Sequence, residues 1–403
     1  MGQPACPHDL GDAMTGGRQP GERSGRTSTT AGSPRLDSLT GLRAIAALVV
    51  FGRHIIPAFG ADGGPWFVQM LTRPGTVGVT LFFALSGFVL AWNHRVPAAA
   101  KSVFWQRRAA RIVPAYLVAF VFAIAVSVLT ARALTWMDLF NVTLMQSWVP
   151  DADWFFAGNG VGWSLSTEVF FYLVFPYVIG PLHRLSRRLT WLVLGCCVGF
   201  AVAIPLILRP SAYETEHHVG FAYWLVYIFP PTRLLEFVAG AALALLLRPG
   251  TRVFVKLGPA ALIAAAAYTA AGLVPEWACF VAVPLVPFLL LIAAAADADV
   301  RGAGSLLRRR PMVLAGTWSY AFYLLHYQIY WLADTYLIYG GQPMAKILIV
   351  LGVCFLVSGV AAWLLYTMVE HPAEARLRAL GRKPKDGIVA VPSARAPRED
   401  SRI

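Results

Sequence analysis

The 403-residue chain is 57% hydrophobic and only 14% charged, against a charged share of roughly 25% in a soluble domain, so lipid is its expected solvent. A formal charge of +13 suits a nucleic-acid partner, but the basic residues alternate between loops, which assigns them to membrane topology and argues against nucleic-acid binding. Five cysteines (Cys6, Cys196, Cys197, Cys279 and Cys354), odd in number and without CxxC spacing, exclude a disulfide framework and offer no zinc site, so no metal is expected.

Residues 1–33 are rich in Gly, Ser, Thr, Pro and Arg, lack an apolar run, and read as a disordered cytoplasmic leader. A membrane-embedded domain follows over 34–372, and 373–403 form a polar, basic cytoplasmic tail. Within the domain, about ten apolar runs approach the roughly 20 residues that cross a bilayer. They lie at about 44–60, 76–93, 112–130, 161–180, 190–208, 220–247, 257–274, 278–296, 312–333 and 345–369. The even-numbered loops carry clusters such as Arg107, Arg108 and Arg111, or Arg308, Arg309 and Arg310, whereas the odd-numbered loops hold little beyond Arg73, Arg132 and Arg209. The expected fold is therefore all-α, a polytopic transmembrane bundle with both termini cytoplasmic, in a multi-pass protein of the cell membrane. The paired prolines Pro230 and Pro231 are expected to break the sixth span.

Ionisable groups inside apolar runs are costly and are the residues to explain. In the first span, Arg43 and His54 lie eleven residues apart, about three helical turns and about 16 Å at 1.5 Å per residue, on one face. Either the arginine holds phosphate at the rim while the imidazole handles a proton deeper in, or the two are a snorkelling arginine and an unrelated buried histidine. Arg53 adds a charge beside the histidine. Arg107 and Arg111, four apart before the third span, either clamp a phosphate or anchor the loop to the inner leaflet. In the fourth span Ser164, Glu168 and Tyr172 form a polar stripe at i, i+4 spacing. Its carboxylate can orient His54, stabilise the protonated imidazole or pair with Arg53; the alternative is a structural ion pair. Arg233 and Glu236 read foremost as mutual partners, and Ser319, Tyr323 and His326 as either a pocket wall or an interhelical hydrogen-bond seam. Ser86 lacks the local elbow of a serine nucleophile.

Taken in order over residues 35–372, the segments Arg35-Leu-Asp-Ser-Leu-Thr-Gly-Leu-Arg43 with His54, Phe82-Phe-Ala-Leu-Ser-Gly-Phe88, the Arg107/Arg111 loop, Trp163-Ser-Leu-Ser-Thr-Glu168, Ser319-Tyr-Ala-Phe-Tyr-Leu-Leu-His326 and Glu370-His-Pro372 resemble the acyltransferase 3 family of integral membrane acyltransferases. The chain departs from the family pattern at Arg53, where members often carry an uncharged residue, and at Val169, where a second acidic residue is common. The resemblance implies transfer of an acetyl or other short acyl group from acyl-CoA, with acetyl-CoA the expected donor, to a hydroxyl of a glycan or of a metabolite such as a macrolide. It implies His54 and Glu168 as catalytic residues and Arg43, Arg107 and Arg111 as the donor-binding set. In the mechanism this suggests, the CoA phosphates dock at the arginines, the pantetheine arm threads inward, and His54 acts as general base on the acceptor hydroxyl. Midplane charges and a broken helix also fit a transporter or flippase for a glycan or lipid-linked substrate.

Overall fold

The computed structural model describes residues 35–60, 64–94, 100–209, 220–247, 251, 253–339 and 342–380; the leader 1–33 and the tail beyond Leu380 lie outside the described residues. These residues are mostly helical, with no strand among them. Ten helices of 16 residues or more follow one another: α1 Asp37–His54, α2 Val77–Trp92, α3 Lys101–Leu129, α4 Gly162–Arg184, α5 Arg187–Leu208, α6 Pro230–Leu246, α7 Leu257–Leu273, α8 Leu285–Val300, α9 Arg310–Leu337 and α10 Met344–Leu365. Each overlaps one expected apolar run, though α1 starts and ends earlier than its run and α3 begins well before its own. Six helical stretches among the described residues are long and apolar enough to cross a membrane: Trp66–Trp92, Lys101–Leu129, Gly162–Arg184, Arg187–Leu208, Phe221–Leu246 and Met344–Arg376. The other helices are shorter, as α7 and α8 are at 17 and 16 residues, or more polar, as in α1 with Asp37, Arg43 and Arg53 and α9 with its Ser, Tyr, His and Gln side chains.

Helix α1 starts where α8 caps it. Asp299 takes the Ser38 backbone N–H on Oδ2 at 2.8 Å and the Ser38 hydroxyl on Oδ1 at 2.7 Å, satisfying donors that a helix start leaves open. The helix ends at His54, earlier than the apolar run suggested, because Pro57 sits in a 3₁₀ turn over Ile56–Phe59 and cannot donate to a continuing helix. The sixth span is interrupted as expected. A π turn over Trp224–Ile228 gives way to an extended Phe229, and Pro230 opens α6 at its first position, where proline is preorganised. The freed Ile228 carbonyl accepts the Thr167 hydroxyl at 3.2 Å.

Helices α2 and α6 cross in backbone contact at two glycines. A Cβ on Gly87 would collide with the Phe237 carbonyl, and one on Gly240 with the Ala84 carbonyl. Small residues at such a crossing let the helices approach where no hydrophobic drive separates protein from lipid. Gly240→Ala is therefore expected to push the helices apart and cost about 1–3 kcal/mol, read as a lower thermal midpoint of the detergent-solubilised protein; an unchanged midpoint would show that this crossing has slack.

Between α3 and α4 the chain folds into short helices around Asp138, which is 1% exposed. Burial alone would raise this carboxyl, but the N–H groups of Thr135 and Gly158 and the Arg132 guanidinium hold it below the usual carboxylate range. Arg132 also acts on Tyr327, the ring that packs edge-on against His54, so this loop lies at the His54 end of the bundle.

Candidate functional site

A cavity of about 110 Å³ opens among α1, α2, α3, α4 and α9. Arg43 reaches it from α1, Ser86 from α2, Arg108 and Arg111 from α3, Glu168 and Tyr172 from α4, and Ser319 and Tyr323 from α9. Its size is well below the roughly 300–1,000 Å³ of pockets that enclose a drug-sized ligand, so it admits a slender chain and leaves a bulky headgroup at its mouth. Three guanidinium groups face it against one carboxylate, an excess of positive charge in a wall that is otherwise largely apolar.

The single carboxylate is held by neighbours. Glu168 Oε1 accepts the Ser86 hydroxyl at 3.0 Å and a short hydrogen bond from the Tyr172 hydroxyl one helical turn away. Trp105 Nε1 donates to the Tyr172 carbonyl at 3.1 Å and fastens α3 to α4 beside the cavity. The Tyr172 ring faces the Arg108 guanidinium at 5.8 Å. Arg43 and Arg111 feel the charges of both Glu168 and Glu370. Glu370 closes a second π turn, Tyr366–Glu370, and is 2% exposed; its Oε2 has no hydrogen-bond partner among the described residues. Arg108 Nε is likewise buried without a partner among them. Unpaired buried donors on a guanidinium beside a cavity are the feature expected where an anionic ligand completes the site.

The arginine pair inferred from spacing is thus placed differently by the fold. Arg111 faces the cavity, but Arg107 is exposed on the outer side of α3 and Arg108, three residues before Arg111, takes the inner position. Spacing alone permits both, since i, i+3 and i, i+4 neighbours share a helix face; the Tyr172 and Phe104 rings against Arg108 decide which.

Arg43 and His54 lie on one uninterrupted helix, yet only Arg43 lines the cavity. His54 is half-buried beyond its inner end, where its Nδ1 lies 2.9 Å from Nε2 of the fully buried His326. Tyr323 separates the two regions. Its hydroxyl bonds Ser164 Oγ at 2.6 Å in the cavity wall, and its ring centroid is 5.8 Å from that of His326. The partners of Glu168 are Ser86 and Tyr172, so the neighbour that orients His54 is His326 rather than the glutamate. Arg53 contributes only its charge to His54.

The stripe on α9 is both pocket wall and seam: Ser319 bonds its own helix at the Gly316 carbonyl, and Tyr323 joins α9 to α4. Arg233 and Glu236 stand apart from the cavity as a buried ion pair at 2.8 Å, with 0% and 1% side-chain exposure, and Arg233 also reaches Thr80 at 3.2 Å between the Phe83 and Tyr227 rings. Among the described residues no group of three or more His, Cys, Asp or Glu side chains is arranged to hold a metal ion.

Sequence reasoning missed Arg108, the charge partnership of Glu370, and the bond from Ser86 to Glu168. Ser86 sits beside Gly87, the contact point of α2 with α6, which leaves its own side chain facing α4.

Comparison with known proteins finds acyltransferases. Acyltransferase MdmB of Streptomyces mycarofaciens is 38% identical over 374 residues, which cover 87% of this chain and 93% of that protein. The O-acetyltransferase OatA of Staphylococcus aureus is 26% identical over 387 residues, covering 84% of this chain and 57% of that protein. The peptidoglycan O-acetyltransferase OatA of Listeria monocytogenes is 24% identical over 329 residues, covering 72% of this chain and 49% of that protein. No solved structure matches. Residues 36–368 match the family description of an acyltransferase domain, and the chain belongs to the acyltransferase 3 family of membrane acyltransferases.

Proposed function

We propose that this protein moves an acetyl or other short acyl group from acyl-CoA to a hydroxyl of a carbohydrate or secondary metabolite, with His54 as general base. The observation that carries this reading is the slender, largely apolar cavity walled by Arg43, Arg108 and Arg111, with Tyr323 between it and His54, so that this side chain turns aside for the thioester to reach the imidazole. Guanidinium groups match phosphate oxygens in geometry and charge, and the apolar cavity suits the pantetheine arm. The headgroup stays at the mouth. In this reading all ten long helices span the cell membrane with cytoplasmic termini, so that the basic loops face the cytoplasm. The arginines then stand toward the cytoplasmic end of the bundle and His54 toward the opposite end, about 16 Å further along α1 at 1.5 Å per residue. Glu168, held by Ser86 and Tyr172, sets the arginine side chains around the donor.

Purified protein in lipid nanodiscs, given acetyl-CoA with either a macrolide bearing free sugar hydroxyls or a chitooligosaccharide, is expected to release CoA thiol and yield an acceptor heavier by one acetyl group in mass spectrometry. In proteoliposomes, passage of the acceptor across the bilayer with no thiol release would favour the transporter reading instead.

A further inference from the structure

His54 and His326 are joined by one hydrogen bond whose direction the surrounding backbone fixes. His326 Nδ1 lies 2.9 Å from the Tyr323 carbonyl oxygen and 3.1 Å from that of Phe322. A carbonyl oxygen only accepts, so His326 Nδ1 carries a proton. A neutral imidazole has one N–H, which leaves His326 Nε2 as an acceptor. The atom facing it at 2.9 Å, His54 Nδ1, must then be the donor. The lone pair of His54 accordingly lies on Nε2, the ring nitrogen for which no hydrogen-bond partner occurs among the described residues.

The opposite polarity requires a doubly protonated His326. That ring is 0% exposed, stacks on Phe322 with planes 3° apart, and has two carbonyls and a histidine as its hydrogen-bond partners. An imidazolium there would be a buried charge without a carboxylate, which is costly enough to be excluded.

We infer that His326 is a positioning residue: the carbonyls of its own helix set its tautomer, and it in turn locks His54 with Nδ1 protonated and Nε2 bare. The inference rests on the reading of His54 as the base. In the transfer step the acceptor hydroxyl oxygen forms a bond to the thioester carbonyl carbon while its proton passes to His54 Nε2. As the tetrahedral intermediate collapses, the carbon–sulfur bond breaks and the same proton leaves Nε2 for the departing sulfur, giving ester and CoA thiol. Only one tautomer of His54 can open this cycle with Nε2. Without His326 the resting proton is free to sit on Nε2, which removes the lone pair from the side where it is used.

Two substitutions separate positioning from packing. His326→Gln places an amide where Nε2 stands and can still accept from His54 Nδ1, whereas His326→Asn reaches only the Nδ1 position and cannot. In nanodiscs, His326→Asn is expected to lower kcat for thiol release by about 10²-fold or more, by analogy with the loss when a histidine's tautomer-fixing partner is replaced, with KM for acetyl-CoA within about twofold. His326→Gln is expected to recover at least about tenfold of that loss. Independently of any acceptor, ¹⁵N-histidine NMR of the wild type should show His54 with a protonated Nδ1 and a pyridine-type Nε2. The reverse tautomer, or full kcat in a folded His326→Asn protein, would overturn the inference. Full activity in His54→Ala would instead overturn the base assignment on which it rests.

Discussion

His54→Ala is expected to lose acyl transfer, with kcat for CoA thiol release falling by about 10²–10⁴-fold, the usual worth of a positioned general base. The alcohol oxygen of an unactivated acceptor is a weak nucleophile, and the proton it loses must go somewhere as the carbon–oxygen bond forms. Among the described residues near the inner end of the cavity, His54 offers a nitrogen with a free lone pair, because Nδ1 is already committed to His326. KM for acetyl-CoA should hardly change, since the guanidinium groups assigned to the donor stand on a different stretch of α1 and on α3. That split distinguishes a base from a binding residue. Steady-state kinetics on nanodisc-embedded protein, with size-exclusion chromatography to confirm folding, read both quantities. A variant with unchanged kcat would remove the imidazole from the chemistry.

Much of the fold was legible because apolar periodicity and proline are local signals. The ten helices fall on the ten apolar runs, and the break before Pro230 was readable from the missing backbone donors alone. The end of α1 at His54 was less so. The run Ile55-Ile56 invites extension, and only the 3₁₀ turn around Pro57 stops it.

The site was legible in its residue types but not in its pairings. Arg43, Arg111, Ser164, Glu168, Tyr172, Ser319 and Tyr323 do converge on one cavity. Which residue holds Glu168, however, depends on the rotation of α2 about the Gly87–Gly240 crossing, which brings Ser86 to it. Which residue orients His54 depends on α9 packing against α1, 272 residues away in sequence. Contacts of that separation leave no trace in spacing along one helix. The same holds for α3, where of two adjacent arginines one lines the cavity and the other is exposed, and a 100° turn per residue cannot be anchored without knowing what the helix packs against.

That last ambiguity gives the second large effect. Arg108→Ala and Arg111→Ala are each expected to raise KM for acetyl-CoA by about 10–100-fold, the loss of one charge-assisted hydrogen bond to phosphate, while Arg107→Ala should stay within about twofold because its side chain is exposed on the outer side of α3. Arg108 is half-buried, with its Nε buried and unpartnered among the described residues, and Arg111 shares the charges of Glu370 and Glu168 with Arg43. Glu168, Glu370 and Glu374 all act on this group of guanidiniums, and what they leave unmet is the Arg108 Nε–H, a donor that a phosphate oxygen at the cavity mouth would satisfy. Alanine at Arg107 touches none of this. The kcat measured at saturating donor should be retained better in Arg108→Ala than in His54→Ala, since a phosphate contact far from the thioester acts on ground state and transition state alike. Titration of nanodisc-embedded variants with acetyl-CoA by calorimetry would check the binding part without turnover. Equal losses at Arg107 and Arg108 would mean that α3 is rotated from the orientation described and that the donor lies on its outer face.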